Sequence, residues 1–348
     1  MQPSTTNTLE QPLVSVLTPV YNGADFLVQC IESVLAQTYQ NYEYIIVNNC
    51  STDRSLEIAL EYAKKDKRIR VHNNQDFVGV IENHNIAFGL ISPAAKYCKV
   101  VSADDFLFPD YLNRTIEVAE ANPGVGIIGS YQLCGAYIKW QGFDYPGAVI
   151  AGRELCRRIF LGGDPTFGFG TPTSLTYRAD LVRKTKTFYP NPSPHADTSA
   201  CFKYLSESDF GFVHQVLSYE RMHDATQSSA SARLERYASA YLNDLQQYGP
   251  SYLDQAELDR LIHEMLRRYY NFLAVEYIIG FRGKDFWNYH RERFAELGHP
   301  FSRMLLLKSA VTHLGQELLN PARAMKKLAD RLPKSKGPRP LTRAASRS

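Results

Sequence analysis

The chain has 348 residues, 44% hydrophobic and 22% charged, with a formal net charge of +3. That length supports a full-sized core in one or two domains, and the charge is too small to imply a nucleic-acid partner. No apolar run is long enough to span a bilayer.

Met1–Pro12 is polar, lacks the apolar stretch of a secretion signal, and reads as a disordered start. The six cysteines (Cys30, Cys50, Cys98, Cys134, Cys156, Cys201) include no C-x-x-C pair. Neither a zinc site nor a disulfide framework is expected, and a reducing, cytoplasmic setting follows.

Leu13–Pro19 is a compact strand candidate, and Asp25–Gln37 carries Leu27, Ile31, Val34 and Leu35 at a helical period. Tyr42–Val47 reads as a second strand, followed by a turn at Cys50–Asp53 and a helix through Leu56, Ala59, Leu60 and Ala63. Ile69–His72 is a short strand and Val80–Leu90 a helix. Tyr97–Val101 is an apolar run that stops at Ser102-Ala103-Asp104-Asp105 and reads as a buried strand. A helix over Tyr111–Glu120 and a strand over Val125–Tyr131 complete the pattern. This alternation predicts a mostly parallel α/β sheet with right-handed crossovers and flanking helices.

From Trp140 to His223 the chain is richer in Gly, Pro and aromatics. Short helices are expected at Leu155–Leu161, Asp180–Lys184 and Asp197–Leu205, a Gly/Pro-rich loop with Phe167 and Phe169 at Gly162–Thr173, and a strand at Gly211–Tyr219. From about Ala230 long amphipathic helices follow, at Leu253–Ile279, Phe286–Leu297 and Met304–Leu319. A boundary near Ser228–Ser231 would divide a domain over 13–228 from a helical region over 229–330. The stretch 331–348 holds six basic residues, no acidic ones and three prolines, and reads as a disordered tail.

The chemistry concentrates at Asp104 and Asp105. Parallel sheets bind ligands at the carboxyl ends of their strands. Two adjacent carboxylates there stay ionised most easily beside a cation. Mg²⁺ or Mn²⁺ suits such a site, binding through one or two carboxylates and completing its shell with water and substrate phosphates. A lone Asp could equally cap the next helix, which Pro109 would open. The first strand–helix turn, T-P-V-Y-N-G at Thr18–Gly23, has neither the G-x-G-x-x-G of a dinucleotide site nor a P-loop pattern. The same edge carries Tyr21, Asn22, Asn48 and Asn49. A ring, amides and an acid pair suit a base, a ribose and a diphosphate, although each Asn alone is ordinary turn chemistry.

Four segments together, V-S-V-L-T-P-V-Y-N-G (14–23), S-V-L-A-Q-T-Y-Q-N-Y-E-Y-I-I-V-N-N-C-S-T-D (33–53), G-V-I-E-N-H-N (79–85) and S-A-D-D (102–105), resemble family-2 glycosyltransferases of the GT-A fold over Leu13 to about Asp224. The resemblance implies a Rossmann-like sheet and a metal-dependent inverting transfer from a nucleoside-diphosphate sugar to a saccharide or lipid-linked acceptor. It also implies a role in surface polysaccharide or glycoconjugate assembly. It puts Pro19, Tyr21, Asn22, Asn48, Asn49, Asn85, Ser102 and Asp104 at the donor. Asp104, with Asp105 and His223, falls to the metal, and Asp197 to the general base.

The sequence departs from the family pattern in four places. Asn48-Asn49 stands for an acidic pair, Ser102 for the first Asp of D-x-D, and Ala196 for the Glu before the base; no Q-x-x-R-W follows. The last absence disfavours a processive polymer synthase. The first three support the alternative of a non-catalytic sugar-nucleotide-binding or scaffold protein. A nucleotidyltransferase would need a Gly-rich basic loop where Tyr21-Asn22-Gly23 stands. Asp197 could also be a plain helix cap and His223 an ordinary loop or surface histidine, while His195 beside Asp197 could orient it or be a satisfied surface histidine. Lys326, Lys327 and the basic tail behind Met304–Leu319 suggest peripheral contact with an anionic membrane face.

Overall fold

The computed structural model describes residues 11–141, 143–162, 168–190, 193, 195–222, 236–280 and 282–319. His223, the boundary at Ser228–Ser231, Phe167, residues 1–10 and the basic tail lie outside the described residues.

The chain divides into two compact units, Met1–Glu264 and Met265–Ser348. In the first, strands β1 (Val14–Val20), β2 (Tyr42–Asn48), β3 (Ile69–Asn73) and β4 (Tyr97–Val100) alternate with helices α1 (Ala24–Leu35), α2 (Ser55–Lys65) and α3 (Val80–Gly89). Their parallel order is β3-β2-β1-β4, with Val14 opposite both Tyr42 and Tyr97. β1 is buried over all seven residues, as a strand covered on both faces must be. Its interior Pro19 lies beyond the last β1–β4 register pair, Leu17–Val100, where a missing N–H takes nothing from that ladder.

The second half of the sheet is mixed. After β5 (Phe106–Leu107) and α4 (Tyr111–Ala121) come β6 (Val125–Cys134), β7 (Tyr137–Lys139), β8 (Val149–Ile150), α5 (Gly152–Gly162), β9 (Leu175–Arg178), α6 (Ala179–Arg183), α7 (Ala196–Tyr204) and β10 (Asp209–Glu220). The sheet continues β4-β9-β6-β10-β5, with β9 antiparallel to both neighbours and β6 parallel to β10. The sequence pattern missed β9 because it is four residues long and follows a Gly/Pro-rich loop. The short β5, β7 and β8 escaped for the same lack of length.

Helix α8 (Arg236–Tyr248) also belongs to the first unit, and α9 (Gln255–Ile279) begins in it. Arg157 of α5 holds Glu257 of α9 in a two-pronged ion pair, at 2.7 and 2.5 Å. The second unit holds the rest of α9, α10 (Lys284–Glu296) and α11 (Arg303–Leu319) around Tyr269, Leu273, Phe286 and Phe294. There the Tyr269 hydroxyl meets His290 Nδ1 at 2.5 Å, and the Tyr270 hydroxyl accepts the Ser302 N–H at 2.8 Å. Among the described residues no helix is long and apolar enough to cross a membrane. All six cysteines are free thiols.

Candidate active site

The loops after β1 and β2 are stitched together at the sheet's carboxyl edge. Asn22 (φ 48°) and Cys50 (φ 55°) are both left-handed, a conformation Asn tolerates better than most residues. The Asn22 side-chain carbonyl accepts the Thr52 N–H at 2.8 Å, and the Asn22 N–H donates to Ser51 Oγ at 3.0 Å. Gly23 and Ala24 donate to Ser55 Oγ and Asp53 Oδ2, each at 2.9 Å. The polar end of Asn22 therefore shapes the loop, leaving Tyr21 about half exposed.

Asn48 and Asn49 are both buried and extend the stitching to the β3–α3 loop. Asn48 donates to Asn73 Oδ1 at 2.7 Å. Asn49 donates to the Val78 carbonyl at 2.8 Å, and its Oδ1 accepts from the Val78 N–H at 3.0 Å and Asn74 at 3.1 Å. Asn74 also donates to Asn83 Oδ1 at 2.9 Å. This amide network fixes the loop that carries Phe77, whose exposed ring lies 4.8 Å from that of Tyr21. Two exposed aromatics in contact form a surface on which a flat heterocycle can stack. Asn48 Oδ1 is buried without a hydrogen-bond partner among the described residues.

Asp104 and Asp105 follow β4 in a tight turn closed by the Asp105 N–H to the Ser102 carbonyl at 3.0 Å. Asp104 is partly exposed, whereas Asp105 is buried. Asp105 accepts the Thr173 hydroxyl at 2.6 Å and the Arg221 N–H at 3.0 Å. Burial, with the adjacent Asp104 charge, pushes its carboxyl up to about 7. Thr173 also meets Ser102, accepting its N–H at 3.1 Å and bonding its hydroxyl at 3.2 Å. Arg221 donates to the Asp104 carbonyl at 2.9 Å and lies over the Phe26 ring at 4.6 Å.

Thr173 sits in a one-turn 3₁₀ helix, Pro172–Ser174, held from inside the sheet. The fully buried Lys99 ammonium donates to the carbonyls of Pro172 (3.3 Å), Thr173 (2.5 Å) and Leu175 (3.0 Å), 3.9 Å from the Tyr111 ring centre. Gly170, at φ 147°, makes the approach to this turn, and a Cβ there would lie 2.6 Å from Ser174 Oγ. Sequence reasoning missed Lys99, Thr173 and Arg221. Lys99 alone left a signal, as a charge inside an otherwise apolar strand.

Asp197 lies in the first turn of α7, two residues after His195, whose carbonyl opens the helix. Its Oδ1 accepts the N–H of Thr198 at 2.8 Å. Burial raises its carboxyl from 3.8 to about 6, against the opposing effects of the Thr198 N–H and the His195 charge. Asn85 of α3 clamps the segment leading to α7, donating to the Tyr189 carbonyl at 3.0 Å and accepting the Tyr189 N–H at 2.9 Å. Both ends of that amide are thus used on backbone.

The described residues contain no cluster of three or more His, Cys, Asp or Glu able to hold a metal by themselves. A partly exposed Asp104 with Asp105 behind it instead fits an ion that takes only one or two protein carboxylates and completes its shell elsewhere.

The family model for "Glycosyl transferase family 2" matches residues 15–184. An uncharacterized glycosyltransferase of Haemophilus influenzae is 37% identical over 203 residues, covering 56% of this chain and 60% of the relative, so the chain spans under two thirds of that protein. An uncharacterized glycosyltransferase of Rickettsia typhi is 30% identical over 234 residues, covering 66% of this chain and 70% of the relative. Among solved structures, S. aureus TarS 1-349 in complex with UDP-GlcNAc superposes with a TM-score of 0.55 at 17% identity, covering 74% of this chain and 73% of that one. The mannosyltransferase PcManGT of Pyrobaculum calidifontis, in complex with GDP-Man and Mn²⁺, gives 0.52 at 14% identity, covering 92% and 85%. With its sheet, its carboxylate turn and these relatives, the chain belongs to glycosyltransferase family 2, on a GT-A fold.

Proposed function

We propose that this glycosyltransferase transfers a sugar with inversion from a nucleoside-diphosphate sugar to an acceptor hydroxyl. The observation that carries the reading is the Asp104–Asp105 turn at the carboxyl end of β4, braced by Thr173 and Arg221, on the same edge of the parallel strands as the Tyr21–Phe77 ring pair. TarS binds UDP-GlcNAc and PcManGT binds GDP-Man with Mn²⁺, which supports a nucleotide-sugar donor and a divalent ion here.

Tyr21 and Phe77 would stack the base. The amides of Asn48 and Asn49 hold the loop that carries Phe77. Asp104, with Asp105, would hold Mn²⁺ or Mg²⁺, and such an ion when bound neutralises charge on a diphosphate leaving group. Asp197 would take the proton from the acceptor hydroxyl as that oxygen attacks the anomeric carbon. A carboxyl raised to about 6 remains ionised at neutral pH and is a stronger base than an ordinary Asp. His223, outside the described residues, is retained as a further metal contact.

The acceptor is read as a saccharide or lipid-linked glycan in surface polysaccharide or glycoconjugate assembly, at the cytoplasmic side of a membrane. Its support is helix α11, where Met304, Leu305, Leu307, Val311 and Leu314 are exposed and a basic tail follows in sequence.

A thermal-shift screen of nucleoside diphosphates with and without Mn²⁺ tests the donor site. The matching nucleotide should raise the melting temperature only with the metal, by mass action. No shift from any nucleotide up to millimolar concentration would contradict the reading.

A further inference from the structure

Asp244 of α8 is fully buried, yet none of the ion pairs among the described residues joins it to a Lys or Arg. Its carboxylate accepts the Ser199 hydroxyl at 2.5 Å and faces His195 Nδ1 at 3.3 Å. His195 and Ser199 stand two residues before and two residues after Asp197. The Ser199 N–H donates to the His195 carbonyl at 2.7 Å, closing the same turn. One buried carboxylate therefore grips the first turn of α7 on both sides of the candidate base. The His195 ring is further confined by Tyr237, 5.2 Å away.

We propose that Asp244 and His195 form a positioning pair for Asp197, Asp244 holding the imidazole on one side of the base and Ser199 on the other, in the first turn of α7. The inference rests on the transferase reading and assigns residues to it that neither the family motifs nor the comparisons name.

A buried ionised carboxylate is costly unless it is paired and hydrogen-bonded. Packing α8 against α7 needs no charge at that position. An acceptor-only group facing Nδ1 fixes that nitrogen as the donor, which turns the ring's other nitrogen away from α8. The groups acting on Asp197 are few. The His195 charge favours its carboxylate, whereas Asp244 opposes it. Tyr177, Tyr189 and Cys201 face it as neutral groups, burial holding each of them protonated. The two charges next to the base thus act in opposite directions, and that gives the pair a signature.

The test is the acid limb of kcat/KM against pH, with donor KM recorded, in the full-length protein. His195→Gln removes the favourable charge and should move the limb up by about half to one pH unit, with donor KM unchanged. Asp244→Asn drops the charge and keeps one accepting oxygen for His195, its amide N–H meeting the Ser199 hydroxyl, which can turn to accept it. If Asp244 acts through His195, this limb also moves up. If the direct repulsion between Asp244 and Asp197 outweighs the action through His195, or if Asp244 only packs, the limb moves down or stays. Either of those results, or an unmoved limb in His195→Gln, overturns the proposal. His195 is partly exposed, so His195→Gln carries the test if Asp244→Asn does not fold.

A ¹³C NMR titration of the Asp197 carboxyl reads the same shifts without turnover. Absence of turnover with the upward shifts intact would count against the transferase reading alone; absence of the shifts would count against the pair.

Discussion

Asp104 and Asp105 are neighbours in sequence with different surroundings. Asp105 is buried and braced by Thr173 and Arg221, so it builds the turn, and Asp104 is the carboxylate the turn presents. Asp104→Ala should abolish Mn²⁺-dependent donor binding, read by calorimetry, with the circular dichroism spectrum unchanged. Asp197→Asn separates chemistry from binding: kcat should fall by about 10²–10⁴-fold with near-normal donor affinity, whereas a role confined to the helix end predicts a nearly silent change.

The raised Asp197 carboxyl also has a stability consequence. Between about pH 4 and 6 the folded state holds a proton that the unfolded chain has released, so stability falls as pH rises through this window. Asp197→Asn removes that cost. The variant should be more stable than wild type at pH 8, by at most about 3 kcal/mol given partial exposure, and nearly equal to it at pH 4. Urea unfolding at the two pH values checks this. A variant less stable at pH 8 would contradict the assigned shift.

At the level of elements, strong periodicity made most of the fold legible. β1, β2, β4, α1 and α2 were readable because their apolar residues follow one period over a whole element. β9 and the Pro172–Ser174 turn were not, since their place is set by Lys99 reaching across from β4 rather than by any local pattern. The site divided in the same way. The carboxylates and Tyr21 could be read from a short motif. Thr173 and Arg221 lie 68 and 116 residues from Asp105, and only the folded sheet joins them. Asn85, expected at the donor, spends both amide ends on Tyr189, a long-range partner no spacing rule reveals. Thr173→Val keeps the shape but removes the hydroxyl held to a buried carboxylate. It should cost about 1.5–3 kcal/mol in urea unfolding and weaken metal-dependent donor binding. A loss below about 0.5 kcal/mol with unchanged binding would remove Thr173 from the account.

On the scale of the whole molecule, a sheet with a proposed donor edge is joined in sequence to helices of which the last described, α11, exposes apolar side chains. Peripheral attachment predicts that the full chain co-sediments with anionic liposomes and less so when 331–348 is deleted, each basic residue near the surface being worth about 1 kcal/mol. No binding by the full chain would end that part of the reading. Donor use by this edge is tested most directly by nucleoside diphosphate release from a panel of sugar nucleotides, with Mn²⁺ or with chelator, for wild type and Asp104→Ala side by side. Release is expected from one donor class, dependent on the metal, and lost in Asp104→Ala. Equal release by Asp104→Ala, or release undiminished by chelator, would contradict that expectation.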